Sequence, residues 1–311
     1  MAKFFWNYLN IKPAYMPARL SPVEEALEGQ DYFLKLQMDG LTHPEIHPMN
    51  FIIFAEHESV YSFPKKDEKL LLDRTGREKF LRPNVLLENL PAPYYCVQPI
   101  ETRGKDGEKE FSEYAGSITY HGPGQLVCYL ILNMTELGFS GETLAKICKI
   151  IDDAVKDFLY SLGITSYRLI ELQDDSDLEV EQSLLAQGAI WKDDNGGKHM
   201  THSASGLWVV QNKCAKKIMS RALATVPYCC EISGEKKRNY FMCFGFALNI
   251  ATDLSYFKYI NPCGLPLKIT SIVEQIGEKG KILLPKAAES LASLFVQKIR
   301  EATGDNTHQL I

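Results

Sequence analysis

The turn Gly122-Pro123-Gly124 constrains this chain more than any other stretch. Proline fixes φ and glycine admits φ > 0, so the backbone must reverse sharply here. Before it, Ser117-Ile118-Thr119-Tyr120 favours an extended strand, with two β-branched residues and an aromatic ring. After it, Leu126 to Leu132 is almost wholly apolar and predicts a buried strand. A tight turn feeding a buried strand lets a ligand approach the backbone, and it leaves His121 and Gln125 at the rim.

Composition narrows what can surround that strand. A chain of 311 residues with 45% hydrophobic content can build a substantial core. A formal net charge of −5 leaves no basic excess for neutralising phosphates, so nucleic acid is not the expected partner. No apolar run reaches the roughly 18 residues that span a bilayer, so no membrane partner is expected. The stretch Met1 to Asn7 lacks an extended apolar segment, and with few Arg or Ser it does not read as a leader, so a cytoplasmic location is expected. The eight cysteines have irregular spacing and form no Cys-x-x-Cys pair, which predicts free thiols in a reducing compartment.

The rest of the chain mixes strands and helices without βαβ alternation. Ser21-Pro22-Val23-Glu24 reads as a capping box with Pro at the first helical position, opening a helix to about Met38. Asn50 to Glu56 reads as a buried strand, Glu56 and Glu58 as solvated carboxylates after it, and Glu101 to Glu113 as a polar loop. Ser140 should cap a long helix whose stripe Leu144, Ile147, Ile151, Val155 and Phe158 is core. Gly163 ends it, and Ile164 to Ile170 should return as a strand. Strands are also predicted at Gly206–Val210 and Phe241–Ile250, and helices at Ile269–Ile276 and Leu284–Thr303. The pattern predicts an α+β fold with a mixed, largely antiparallel sheet packed with helices. The whole chain, 1–311, reads as a single catalytic domain, with surface insertions expected at 171–205, an acidic then polar stretch, and at 223–238.

Cys263 stands apart from the other cysteines. It lies between Pro262 and Gly264, in a turn instead of an apolar strand. A turn thiol can be structural, or it can be a nucleophile when a cation stands beside it. Lys213, Lys216 and Lys217 follow the Gly206–Val210 strand, and spacing does not choose among them. His199 and His202 have i, i+3 spacing but no third ligand nearby, so no metal site is predicted.

The string Thr119-Tyr120-His121-Gly122-Pro123-Gly124-Gln125, followed by an apolar residue, Val127, any residue and Tyr129, resembles the signature of the lipoyl(octanoyl) transferase family. Glu56-His57 with Val60-Tyr61 is similar to a further element of that family. So is the order Gly245-Phe246-Ala247-Leu248-Asn249, Asp253-Leu254-Ser255, Ile260-Asn261-Pro262-Cys263-Gly264. The resemblance implies a fold similar to the biotin/lipoate protein ligases. It implies Cys263 as an acyl-carrying nucleophile and Lys217, before branched Ile218, as its partner. It further implies substrate contacts at Tyr114, Ala115, Gly116, Ser117, Ile118, Thr119, Tyr120 and His121, at Ser220, Arg221 and Ala222, and at Gly245, Phe246 and Ala247. Ile118, Tyr120, Phe246 and Leu248 are candidate walls for the acyl chain by position. The implied donor is octanoyl-acyl carrier protein. The implied acceptors are lipoyl domains of 2-oxoacid dehydrogenase complexes and the glycine cleavage H protein. No cofactor is expected, because a thioester is already activated. Burial of an eight-carbon chain would supply up to about 6 kcal/mol.

The chain departs from the family pattern in three places. Tyr114-Ala115-Gly116 replaces Arg-Gly-Gly, Ser220-Arg221-Ala222 replaces a small residue, an aliphatic one and glycine, and Phe244 replaces histidine. Three other readings follow: an ATP-dependent lipoate-protein ligase, a catalytically weakened homologue that still docks acyl carrier protein, and a papain-like hydrolase pairing Cys263 with His121. The first needs a glycine- and arginine-rich phosphate loop, which this sequence lacks.

Overall fold

The computed structural model describes residues 11–15, 22–43, 50–73, 76–104, 107–113, 116–139, 143–173, 177–232 and 234–304. The first part runs β1 (Ile11–Tyr15), α1 (Val23–Gly40), β2 (Asn50–Ala55), β3 (Val60–Pro64), α2 (Lys65–Leu72) and β4 (Tyr94–Val97). Next come β5 (Ile100–Arg103), β6 (Lys109–Ser112), β7 (Thr119–His121), β8 (Gln125–Asn133) and α3 (Thr143–Ser161). Then follow β9 (Tyr167–Arg168), α4 (Leu169–Gln173), α5 (Leu178–Ala186), β10 (Ile190–Lys192) and β11 (Lys198–Met200). The chain closes with β12 (Gly206–Gln211), β13 (Cys214–Ile232), β14 (Glu235–Asn249), α6 (Ile272–Ile276) and α7 (Leu284–Thr303).

Strand β8 follows the Gly-Pro-Gly turn, and all nine of its residues are buried. It sits third in a seven-stranded sheet ordered β1-β2-β8-β14-β13-β12-β9. Pairing in this sheet is antiparallel except between β1 and β2. Period-two alternation divides the β8 side chains between two cores. Leu126, Cys128, Leu130 and Leu132 face helices α3 and α7, and pack with Ile151, Val155, Leu291 and Phe295. Val127, Tyr129 and Ile131 face α1, and pack with Leu34, Met38 and Phe244. A three-stranded sheet, β4-β3-β7, carries a third core around Tyr61, Phe80 and Tyr120. The fold is therefore α+β with a largely antiparallel sheet, and no described helix is long and apolar enough to cross a membrane.

Several elements differ from expectation for local reasons. Pro22 is the N-cap of α1 and not its first helical residue, while Ser21, Ser140, Asp174 and Asp175 lie outside the described residues. The polar stretch after Val97 is a hairpin, β5 against β6. Its alternating Ile100 and Thr102 turn inward while Glu101 and Arg103 remain in solvent, and its hydroxyls meet the ribbon beyond: Thr102 donates to the Pro227 carbonyl, and Ser112 to that of Thr225 at 3.3 Å. The strand expected over Ile164–Ile170 shortens to β9, because Glu171 accepts from the Arg168 N–H at 2.7 Å and starts a helical turn there. The helix expected from Ile269 begins at Ile272, where Ser271 caps it by accepting from the Glu274 N–H. The 171–205 stretch, expected as a surface insertion, contains its own core: Leu172, Val180, Leu184, Ile190 and Ala204 pack under Trp208. The 223–238 stretch is a two-stranded ribbon, paired from Leu223↔Phe244 out to Ile232↔Glu235.

Candidate active site

The Gly-Pro-Gly turn is held at both ends. Gln125 N–H donates to the Gly122 carbonyl at 3.1 Å, and Gly124, at φ +81°, donates its N–H to Glu56 Oε1 at 2.7 Å. Glu56, expected in solvent, is thus a turn clamp. His121 enters the cavity wall fully desolvated, and burial pushes its pKa below the usual imidazole value while the bond to Gln125 opposes the shift. Its Nδ1 lies 2.7 Å from Gln125 Oε1, and Gln125 Nε2 donates to Asn249 Oδ1 at 2.9 Å. Asn249 donates to the Thr270 carbonyl at 3.1 Å, and Thr270 N–H donates to the Lys217 carbonyl at 2.9 Å. One polar chain therefore links the signature turn to the lysine backbone across three strands.

Lys217 owes its direction to a bulge. Leu207 pairs with Met219 but Trp208 pairs with Lys217, so Ile218 is an extra residue on β13. Bulges of this kind re-aim side chains. The space the lysine takes comes from Gly206, at φ +131°: a Cβ there would lie 3.0 Å from Lys217 Cε and 2.1 Å from the Met219 carbonyl oxygen. Lys217 is only 1% exposed, and its Nζ lies 3.9 Å from Cys263 Sγ. Burial pushes its pKa down, with Cys263 pulling partly back up. Lys213 pairs with Glu179 and Lys216 with Glu274, both away from the thiol.

Cys263 sits in the left-handed region, at φ 60° and ψ 20°. That conformation is costly for a residue with a Cβ and persists only where its surroundings hold it. Here Cys263 N–H donates to the Ile118 carbonyl at 2.9 Å, and Gly264 N–H donates to the Asn261 carbonyl at 2.8 Å. Asn261 N–H in turn donates to the Phe80 carbonyl at 2.7 Å. The thiol is pinned from two directions and faces a cavity of about 770 Å³. A smaller cavity, about 320 Å³, lies beside Arg82 and Lys258, with Leu254, Phe257, Leu267 and Ile269 as its other lining residues and no thiol or hydroxyl among them.

The large cavity gathers most of the residues singled out by sequence. Cys263, Gly116, Ser117, Thr119, His121, Ser220, Arg221, Ala222, Gly245, Phe246 and Ala247 all line it. Ile118 and Tyr120 do not: strand alternation turns them into the core with Tyr61 and Phe80. Ile118 acts through its carbonyl, on Cys263. Leu248, the other candidate wall, is buried among the residues under α3 and α7. Tyr114 and Ala115 lie outside the described residues.

Sequence reasoning missed other walls. Val23 and Leu27 come from α1, Asp67 from α2, Leu144 and Cys148 from α3, and Thr201 to Ser203 from the turn after β11. Asp67 accepts from Ser117 Oγ at 2.8 Å, which ties α2 to the signature strand. These residues are scattered along the chain and carry no local signal beyond ordinary amphipathic patterning. Phe244, also in the wall, has φ 62° and donates its N–H to Gln30 Oε1 at 2.7 Å. Among the described residues no cluster of His, Cys, Asp or Glu could hold a metal ion, and His199 instead bonds Asp193 at 2.8 Å and stacks on Trp191.

A thiol in the wall of a large, mainly apolar cavity, with a buried amine 3.9 Å from its sulfur, supplies the parts that covalent acyl transfer requires. Residues 113–295 match the family model described as lipoyl protein ligase A/B catalytic domain. An octanoyltransferase of Bacteroides fragilis is 30% identical over 264 residues, covering 83% of this chain and 86% of that protein. One from Bacteroides thetaiotaomicron is 29% identical over 270 residues, covering 86% and 87%. Among solved structures, a lipoate-protein ligase A bound with ATP is similar at 11% identity and a TM-score of 0.41, across 88% of this chain and 81% of that one. The chain belongs to the lipoyl protein ligase A/B catalytic-domain family, as a member of its octanoyltransferases.

Proposed function

We propose that this enzyme transfers an octanoyl group from octanoyl-acyl carrier protein to the ε-amine of a lipoyl-domain lysine, through a thioester on Cys263. The observation that carries the reading is the Cys263–Lys217 pair, with a fully buried amine 3.9 Å from the sulfur at the wall of the cavity. Burial favours the neutral amine, which is the form able to accept a proton. Lys217 takes the thiol proton, and the sulfur adds to the donor's carbonyl carbon. The donor's C–S bond then breaks, and the leaving thiolate recovers the proton from the Lys217 ammonium.

In the second half the incoming amine attacks the Cys263 thioester. Its nitrogen loses a proton, the C–S bond to Cys263 breaks, and an amide is released with Cys263 returned to the thiol. At neutral pH the acceptor arrives mostly as an alkylammonium, of reference pKa about 10.4, so it must first give up one further proton to solvent before its nitrogen can attack. Lys217, 3.9 Å from the sulfur, accepts the proton lost on amide formation and returns it to Cys263.

Intact-mass measurement after incubation with octanoyl-acyl carrier protein, without ATP, tests the reading. A single octanoyl adduct is expected on wild type and none on Cys263→Ser. Amide formation on a lipoyl domain should follow when the isolated adduct is mixed with acceptor. An adduct that persists in Cys263→Ser, or transfer that requires ATP, overturns it. Release of free octanoate instead of amide would assign the site to hydrolysis.

A further inference from the structure

The walls of the cavity divide by sheet face. β12 stops pairing at Gly206↔Ser220, so β12 leaves the flank of β13 uncovered along Arg221–Leu223, and the cavity reaches residues on both sides of it. On the α1 side the wall is mostly apolar, formed by Val23, Leu27, Val97, Val127, Phe244 and Ala247 with the Tyr129 ring, whose hydroxyl bonds His57 Nε2 at 2.8 Å. On the α3 side Leu144, Cys148 and Phe246 surround a charge, Arg221. Its side chain is 11% exposed. Nη1 donates to the Cys148 carbonyl at 3.3 Å and to the carboxylate of buried Asp152. Asp152 also faces Arg168 at 3.5 Å, and the Arg221 carbonyl accepts from Ser205 Oγ at 3.3 Å. Two bonds from Nη1 hold the guanidinium against α3, and Ser205 holds the Arg221 backbone.

We infer that Arg221 is a specificity-determining residue: it bars the alkyl tail of the acyl group from the α3 side and confines it to the α1 side. The inference rests on the acyl-transfer reading above. An alkyl tail laid on a guanidinium removes water from a charge and offers no hydrogen bond in return. The same tail on the α1 side meets mostly apolar walls and no unscreened charge among Val23, Leu27, Val97, Val127, Tyr129, Phe244 and Ala247, and so gains the transfer free energy of each methylene it buries. Chain length is then limited by how far the α1 side extends, between Leu27 and Ala247. Asp152 is a positioning residue, which holds the charge in place.

Competing donors measure this directly. Hexanoyl-, octanoyl-, decanoyl- and dodecanoyl-acyl carrier protein are offered together, and adducts on Cys263 are quantified by intact mass. Arg221→Leu combined with Asp152→Leu removes both members of the buried pair, so neither charge is orphaned. This double variant should raise decanoyl and dodecanoyl labelling relative to octanoyl by about tenfold, the scale of one or two methylenes in an apolar pocket. Ala247→Leu, which fills the α1 side, should shift labelling toward hexanoyl by a similar factor and is independent of the pair. Should the double variant fail to fold, Arg221→Gln, which keeps a polar group beside Asp152, should give the same direction with a smaller change. An unchanged chain-length profile in the double variant or in Arg221→Gln, or in Ala247→Leu, overturns the inference while leaving acyl transfer intact. Absence of any adduct on wild type overturns the acyl-enzyme reading and this inference together.

Discussion

Among the described residues two lysine amines lie within bonding distance of a cysteine sulfur, and the shorter pair lies outside the cavity wall. Lys268 Nζ lies 3.2 Å from Cys214 Sγ, against 3.9 Å for Lys217 and Cys263. Lys268 is exposed, so water solvates and screens its charge, and Cys214 lies at the start of β13, outside the cavity wall. Lys217 has lost its water, burial pushes it toward the neutral amine, and the thiol it meets faces a large cavity. Proximity alone therefore does not make a dyad. Desolvation of the base, strain at the nucleophile and room for an acyl group distinguish the two.

Four measurements break or sharpen this contrast. The largest effect should come from the sulfurs. Cys263→Ser is expected to reduce octanoyl transfer below detection, whereas Cys214→Ser should transfer at the wild-type rate in the same assay. Next are the bases. Lys217→Met should lower kcat by about 10²- to 10⁴-fold, the usual contribution of a positioned acid–base group, and Lys268→Met should leave kcat in the wild-type range. Equal losses from the two lysines would erase the distinction drawn here.

A smaller effect is expected from the backbone that aims Lys217. Gly206→Ala places a Cβ 2.1 Å from the Met219 carbonyl oxygen at φ +131°, and should cost about 1–3 kcal/mol in a denaturant titration. The smallest effect is a pH slope. Unfolded Lys217 keeps its proton up to about 10.5, while the folded residue loses it at a lower pH. Between those limits the unfolded state binds more protons, so stability rises with pH, by at most about 1.4 kcal/mol per unit. The difference between wild type and Lys217→Met should show that slope.

Much of the frame was legible in the sequence because it is local. The apolar run after the Gly-Pro-Gly turn had to be a buried strand, and the stripe from Ile147 to Phe158 had to be the inner face of a helix. The signature turn, the turn cysteine and the lysine cluster were equally visible. Elements set by weak local preference were misread. The β5–β6 hairpin is mostly polar, and only its meeting with the Pro227 and Thr225 carbonyls explains its extended form. Residues 171–205 look like a solvated loop until their few apolar side chains are found together under Trp208.

What the sequence determined by itself was the inventory: a reversing turn, a buried strand, a cysteine outside the core, three lysines and the family pattern that binds them. Which lysine meets the thiol was decided by a single extra residue in the β12–β13 register and by the space left at Gly206. Alternation on β7 decided that Thr119 and His121 face the cavity while Ile118 and Tyr120 do not. The charged wall at Arg221 exists only because α3 brings Asp152 against β13, sixty-nine positions away in sequence. Register, strand face and long-range ion pairing depend on which segments close on one another, and a short window of sequence contains none of that information.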